Sequence, residues 1–109
     1  MKTQMKYSLS DKDILSLTLY MSVPAIVTAF EHRDVNQRYI YRVIKRYNLE
    51  TPAKRRKKFF EDTVNATKLT IGMSVAQKKK NCREAIAILG QELISSIEKR
   101  AVAFEEKWN

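Results

Sequence analysis

At 109 residues and 44% apolar content, the chain has enough material for one compact unit with an extended appendage, and its two Gly and two Pro are too few for a β-rich fold. A single Cys82 rules out an internal disulfide and a cysteine-based zinc site, and one His leaves little for nucleophilic or metal-assisted chemistry, so neither catalysis nor a cofactor is expected. The formal net charge is +9, and Arg38 to Lys58 holds nine Lys or Arg against Glu50 alone, which is eight of that excess. The remainder sums close to neutral. Charge so concentrated, interleaved with Tyr39, Tyr41 and Tyr47, suits a polyanion. Nucleic acid leads, although an acidic protein or an anionic membrane surface would feel the same field.

In chain order, residues 1 to 9 read as a loose tail without the marks of an export signal, since Asp11 and Asp13 precede the first apolar run. Ser10 with Asp13 three residues on forms a capping-box pattern that starts a helix to about Met21. Leu15, Leu17, Leu19 and Met21 also alternate as a strand would, but the chain offers no obvious partner strand. The uncharged run Ile14 to Phe30 is near the shortest length of a membrane span. Pro24, four hydroxyl residues and flanking acids argue against one, so no membrane partner and a cytoplasmic location are expected. Ser22 caps a second helix with Pro24 in its first turn and Ile26, Val27 and Phe30 inward. Glu31 to Asp34 reads as a turn.

Asp34 or Asn36 starts a third helix to about Tyr47. Ile40, Val43, Ile44 and Tyr47 share one face by spacing, which turns them to a core, while Arg38, Tyr41, Arg42 and Lys45 share another. Asn36 and Gln37 sit at the helix start, where amide groups suit adenine as guanidinium groups suit guanine. Arg46 and the later run Lys54, Arg55, Arg56, Lys57 and Lys58 suit phosphates. Thr51-Pro52 opens a fourth helix that places this run at its positive end, a strain an anion would relieve. Its apolar side reads Phe60 and Val64, extended by Thr67 or Ile71. Lys68 to Val75 is a joint.

From about Ser74 to Trp108 one long helix carries Ile86, Leu89, Leu93, Ile97, Phe104 and Trp108 as an apolar stripe. Such a stripe either folds back over the other helices or forms the seam of a homodimer; the second is taken as the expectation. Lys78 to Lys80 serves as a second phosphate contact or as the solvated start of this helix. Cys82 is expected to be inert, and His32 a polar surface residue.

Val35 to Arg46, VNQRYIYRVIKR, resembles the recognition helix of helix-turn-helix DNA-binding proteins, with Val35, Ile40 and Val43 in the buried positions. Ser22 to Phe30 matches the support helix and Asp11 to Met21 the first helix, so the resemblance covers about residues 10 to 48. The turn is several residues longer than the usual one and lacks its Gly. The layout, a basic helix-turn-helix followed by a long helical segment, is similar to small phage regulators, insertion-element accessory proteins and small terminase subunits. The resemblance implies a three-helix helix-turn-helix region over residues 1 to 50; with the basic helix and the long C-terminal helix read from the residues over 51 to 109, for packing or dimerisation, the expected fold is all-α. It also implies double-stranded DNA as partner and a transcriptional regulator as role. Two other classes fit the same residues. One is an assembly or packaging protein that grips DNA or RNA without reading sequence. The other is an adaptor or inhibitor that docks on a nucleic-acid-handling protein.

Overall fold

The structure, a computed structural model, describes residues 6–108. It is all-α. Among the described residues five α-helices follow one another: α1 (Asp11–Tyr20), α2 (Val23–Ala29), α3 (Gln37–Arg46), α4 (Pro52–Ala66) and α5 (Val75–Trp108). A 3-10 turn, Glu31–Arg33, lies between α2 and α3.

Each start is written in short-range chemistry. Ser10 Oγ accepts from the Asp13 amide at 3.1 Å while Asp13 Oδ2 accepts from the Ser10 amide at 3.3 Å, a complete capping box. Ser22, Asn36 and Thr51 cap α2, α3 and α4 through amides three residues on, with Pro24 and Pro52 in first-turn positions that need no donor. The alternation of leucines in α1 yields to helix: Ile14, Leu17 and Thr18 are buried at i, i+3 and i+4. Met21 and Ser22 are non-helical and split the uncharged run into helices of 10 and 7 residues. Among the described residues no helix is long and apolar enough to cross a membrane.

The core gathers around α1, which packs against each of the other four helices. Leu9, Ile14 and Leu17 meet Val23, Ile26 and Phe30 of the α2 segment and Val35, Ile40 and Val43 of the α3 segment. Ile97 of α5 enters the same cluster with no exposed surface, so the part beyond residue 50 packs into the N-terminal core. α4 and the first half of α5 form a hairpin that buries Val64 and Cys82, and a Tyr20–Phe59 edge contact at 5.3 Å ties α4 to α1. Cys82 is buried, with Sγ 3.6 Å from Thr67 Oγ1. The molecule extends 64 × 28 × 18 Å, because α5 outruns the body that covers it.

Four expectations need correction. The tail is anchored from Tyr7 onward, because its amide and ring engage Glu105 and Phe104 of α5 and Leu9 is buried; residues 1 to 5 lie outside the described residues. Tyr47 is exposed, since α3 ends at Arg46 and the cap residue turns off the helical face. Ile71 is exposed rather than part of the apolar side of α4, which stops at Ala66. Of the α5 stripe, Ile97 is wholly buried and Ile86, Leu93 and Phe104 are half-buried in the chain's own fold, leaving only Leu89 and Trp108 exposed for a seam.

α5 crosses the α1–α2 corner at Gly90, where an added Cβ would lie 3.2 Å from both Tyr20 Cβ and Met21 Cε. Met21 can swing aside, but Tyr20 Cβ is fixed to the α1 backbone. Gly90→Leu is expected to destabilise the fold by about 1–3 kcal/mol through overpacking, measured by urea unfolding.

Candidate nucleic-acid interface

The connection leading into α3 is held by one buried cation. The Arg33 side chain is 6% exposed and bridges two carboxylates of α5: Nε and Nη2 donate to Glu98 at 3.0 and 2.9 Å, and Nη1 to Glu105 at 2.8 Å. A guanidinium so enclosed requires anionic partners, and its fork matches carboxylate geometry. Arg33 bonding lowers the titration of both Glu98 and Glu105, and the Glu98 pairing raises that of Arg33. Asp34 then takes the left-handed conformation (φ 59°) that ends the 3-10 turn. Asn36 Oδ1 accepts from the Tyr39 amide at 2.9 Å, and Tyr39 Oη donates to the Leu9 carbonyl at 3.1 Å.

With Ile40, Val43 and Ile44 buried, the opposite side of α3 faces out. Arg38, Tyr41, Arg42 and Lys45 are all exposed, as is Gln37. None of these five makes a side-chain hydrogen bond or ion pair with a described residue. The expected cationic face is therefore brought together on one ten-residue helix with its donors unengaged.

Other candidate residues have internal work. Asn36 uses its side-chain oxygen as the cap and so lacks the acceptor that bidentate adenine contact needs. Arg46 donates to Asp11 Oδ2 at 2.8 Å, and Tyr47 Oη donates to the same oxygen at 2.9 Å. That bond, with the Asp11 charge, raises the titration of the Tyr47 phenol. Arg55 turns into the groove between α4 and α1, where Nη2 donates to the Leu15 carbonyl at 3.1 Å and Nε to Thr18 Oγ1 at 3.4 Å. The expectation of a phosphate role for Arg55 is corrected: the run that looks uniform in sequence divides into a half-buried Arg55 and Arg56 and an exposed Lys54, Lys57 and Lys58. Sequence reading missed Arg33, Asp11 and the anchoring role of Arg55, because their partners lie 35 to 72 residues away.

Comparison with protein-family models, with curated proteins and with solved structures finds no match to this chain.

Two predictions come from these contacts. Burial raises the titration of Asp13, but hydrogen bonds from Arg100 and Ser10 outweigh it and hold the carboxyl below its ordinary range. Glu98 and Glu105 lie below theirs too. Carboxylates depressed in the fold contribute stability above their unfolded range and lose it as pH falls through the folded values. Stability is expected to hold near neutrality and to decline below about pH 4.5, with Asp13→Asn flattening that decline in a circular-dichroism melting series. Arg55→Ala is expected to cost about 1–2 kcal/mol of stability while leaving duplex affinity within about threefold, measured by urea unfolding and electrophoretic shift.

Proposed function

We propose that the chain is a small helix-turn-helix DNA-binding protein in which α3 enters the major groove, and that its role is transcriptional regulation in a phage or other mobile element. The observation that carries the reading is the exposed face of α3: Arg38, Tyr41, Arg42 and Lys45 at one-face spacing, unengaged, on a helix whose other side is locked in the core. An isolated basic helix is easily a solvated surface. Here four arginines, at 33, 46, 55 and 100, have found carboxylate or carbonyl partners, while those at 38 and 42 have none among the described residues. Guanidinium groups held outward on a rigid helix match the bidentate edge of guanine.

In this reading Gln37, Arg38 and Arg42 meet base edges, while Lys45, Lys54, Lys57 and Lys58 hold phosphates and set the register. α2, the connection 30–36 and α3 stand for the two helices and the turn, the longer turn being occupied by the 3-10 segment that Arg33 pins. Pairing of two copies belongs to the same proposal and would have to use what α5 leaves exposed, including Ile88, Leu89, Val102 and Trp108.

The test is electrophoretic shift with a duplex selected from a random pool and with its scrambled counterpart. Arg38→Ala or Arg42→Ala is expected to weaken the selected duplex by roughly tenfold to a hundredfold and the scrambled one much less. Lys57→Ala with Lys58→Ala is expected to weaken both alike and to reduce the salt slope by about two. Equal losses in the two classes of variant would leave a protein that grips the backbone without reading bases.

A further inference from the structure

The geometry points to a second contact surface at the tip of the α4–α5 hairpin, whose partner is an anionic lipid bilayer met end-on. Its apex is apolar and held in shape. The Met73 amide donates to the Thr70 carbonyl at 3.0 Å, and Gly72 takes φ +84°, which together make a type II turn with Ile71 at its outer corner. Ile71 is 108% exposed, and Leu69 and Val75 beside it are each more than half exposed. Turn chemistry favours Pro at the corner that Ile71 occupies, so an aliphatic residue there gives the turn nothing and is left to serve something outside the chain.

The charges next to the apex in sequence are all cationic. Residues 67 to 83 contain Lys68, Lys78, Lys79, Lys80 and Arg83 and no acid. The near-neutral remainder of the sequence thus resolves into this patch at +5 and the rest of the chain at −4, beside the +8 of residues 38 to 58. Arg83 lies over the Phe60 ring at 5.2 Å, which leaves the exposed Lys68, Lys79 and Lys80, with the half-buried Lys78, to face a partner.

Two observations separate this patch from the α3 surface and favour a planar partner. By helical spacing Glu61 and Asp62 fall on the same exposed side of α4 as Lys54 and Lys58, so a duplex laid along α4 toward Lys68 would cross two carboxylates. Lys78, Lys79 and Lys80 occupy consecutive positions of α5 and point in directions roughly 100° apart, while Lys68 lies on the other limb of the hairpin. A duplex alongside would meet one of these directions. A sheet of anionic headgroups meeting the arm's end reaches all of them, with ammonium groups at headgroup level and aliphatic side chains deeper. The apex carries neither aromatic nor arginine for base stacking. This surface departs from the expectation of no membrane partner, which concerned spanning segments; a peripheral contact needs none.

The full chain is tested by flotation with phosphatidylcholine vesicles and with phosphatidylcholine–phosphatidylglycerol vesicles. The expected result is binding to the anionic vesicles alone, weakened roughly tenfold or more by Ile71→Asp and roughly thirtyfold by Lys79→Ala with Lys80→Ala. Ile71 has no buried contact to lose and Lys79 and Lys80 are exposed, so these variants keep the wild-type helical signal. Arg38→Ala with Arg42→Ala should bind vesicles normally whatever it does to DNA, which keeps this proposal separate from the preceding one. No binding to anionic vesicles overturns the proposal, as does Ile71→Asp binding as tightly as wild type. Loss of duplex affinity by Ile71→Asp without effect on vesicles also overturns it and makes the tip a nucleic-acid wedge.

Discussion

A single enclosed guanidinium decides how this chain can be arranged. Arg33 sits on the short connection between α2 and α3, where its side chain has almost no access to water. A cation there is tolerable only beside anions, and the two it finds, Glu98 and Glu105, are seven residues apart on one side of α5. Two turns of a distant helix are therefore matched to one planar fork. The register of α5 against the N-terminal helices is tied to the point from which α3 departs, and burial of Ile97 one residue before Glu98 adds the apolar half of the same contact.

The contrast among arginines separates a charged sequence from a charged site. Arg33, Arg46 and Arg55 bond to Glu98 and Glu105, to Asp11 and to the Leu15 carbonyl; Arg38 and Arg42 do not bond to any described residue. Chain composition alone treats them as equal. Folding sorts them by where each helix turns its faces, and what stays outward is narrower than the run of basic letters: one side of α3, then Lys54, Lys57 and Lys58. Asn36 shows the same sorting on a polar residue, its oxygen held by the helix it begins.

Much of the architecture was legible because its determinants are local. Ser10, Ser22, Asn36 and Thr51 act within three residues of themselves, so the starts of the first four helices could be read from the string. The joint around Gly72 and the inward face of α3 followed from short periodicities too. What escaped is non-local. The anchoring of Tyr7, the partners of Arg33 and the inward turn of Arg55 depend on α5 or α4 returning to α1, and no spacing within a helix reports that return. The α5 stripe misled for the same reason: a row of apolar residues does not say whether its cover is the same chain or another copy.

The crossing at Gly90 has a mechanical meaning. From that point α5 runs about 22 Å to its first residue and about 27 Å to its last, at the ordinary helical rise. Because Ile97, Glu98 and Glu105 clamp the longer half of the rod to the core, a bend of about ten degrees at the Gly90 fulcrum would be felt at the hairpin end, as about 4 Å of travel. Removing one methyl group's worth of bulk at the fulcrum lets the rod lie flush and sets where its distant end is aimed.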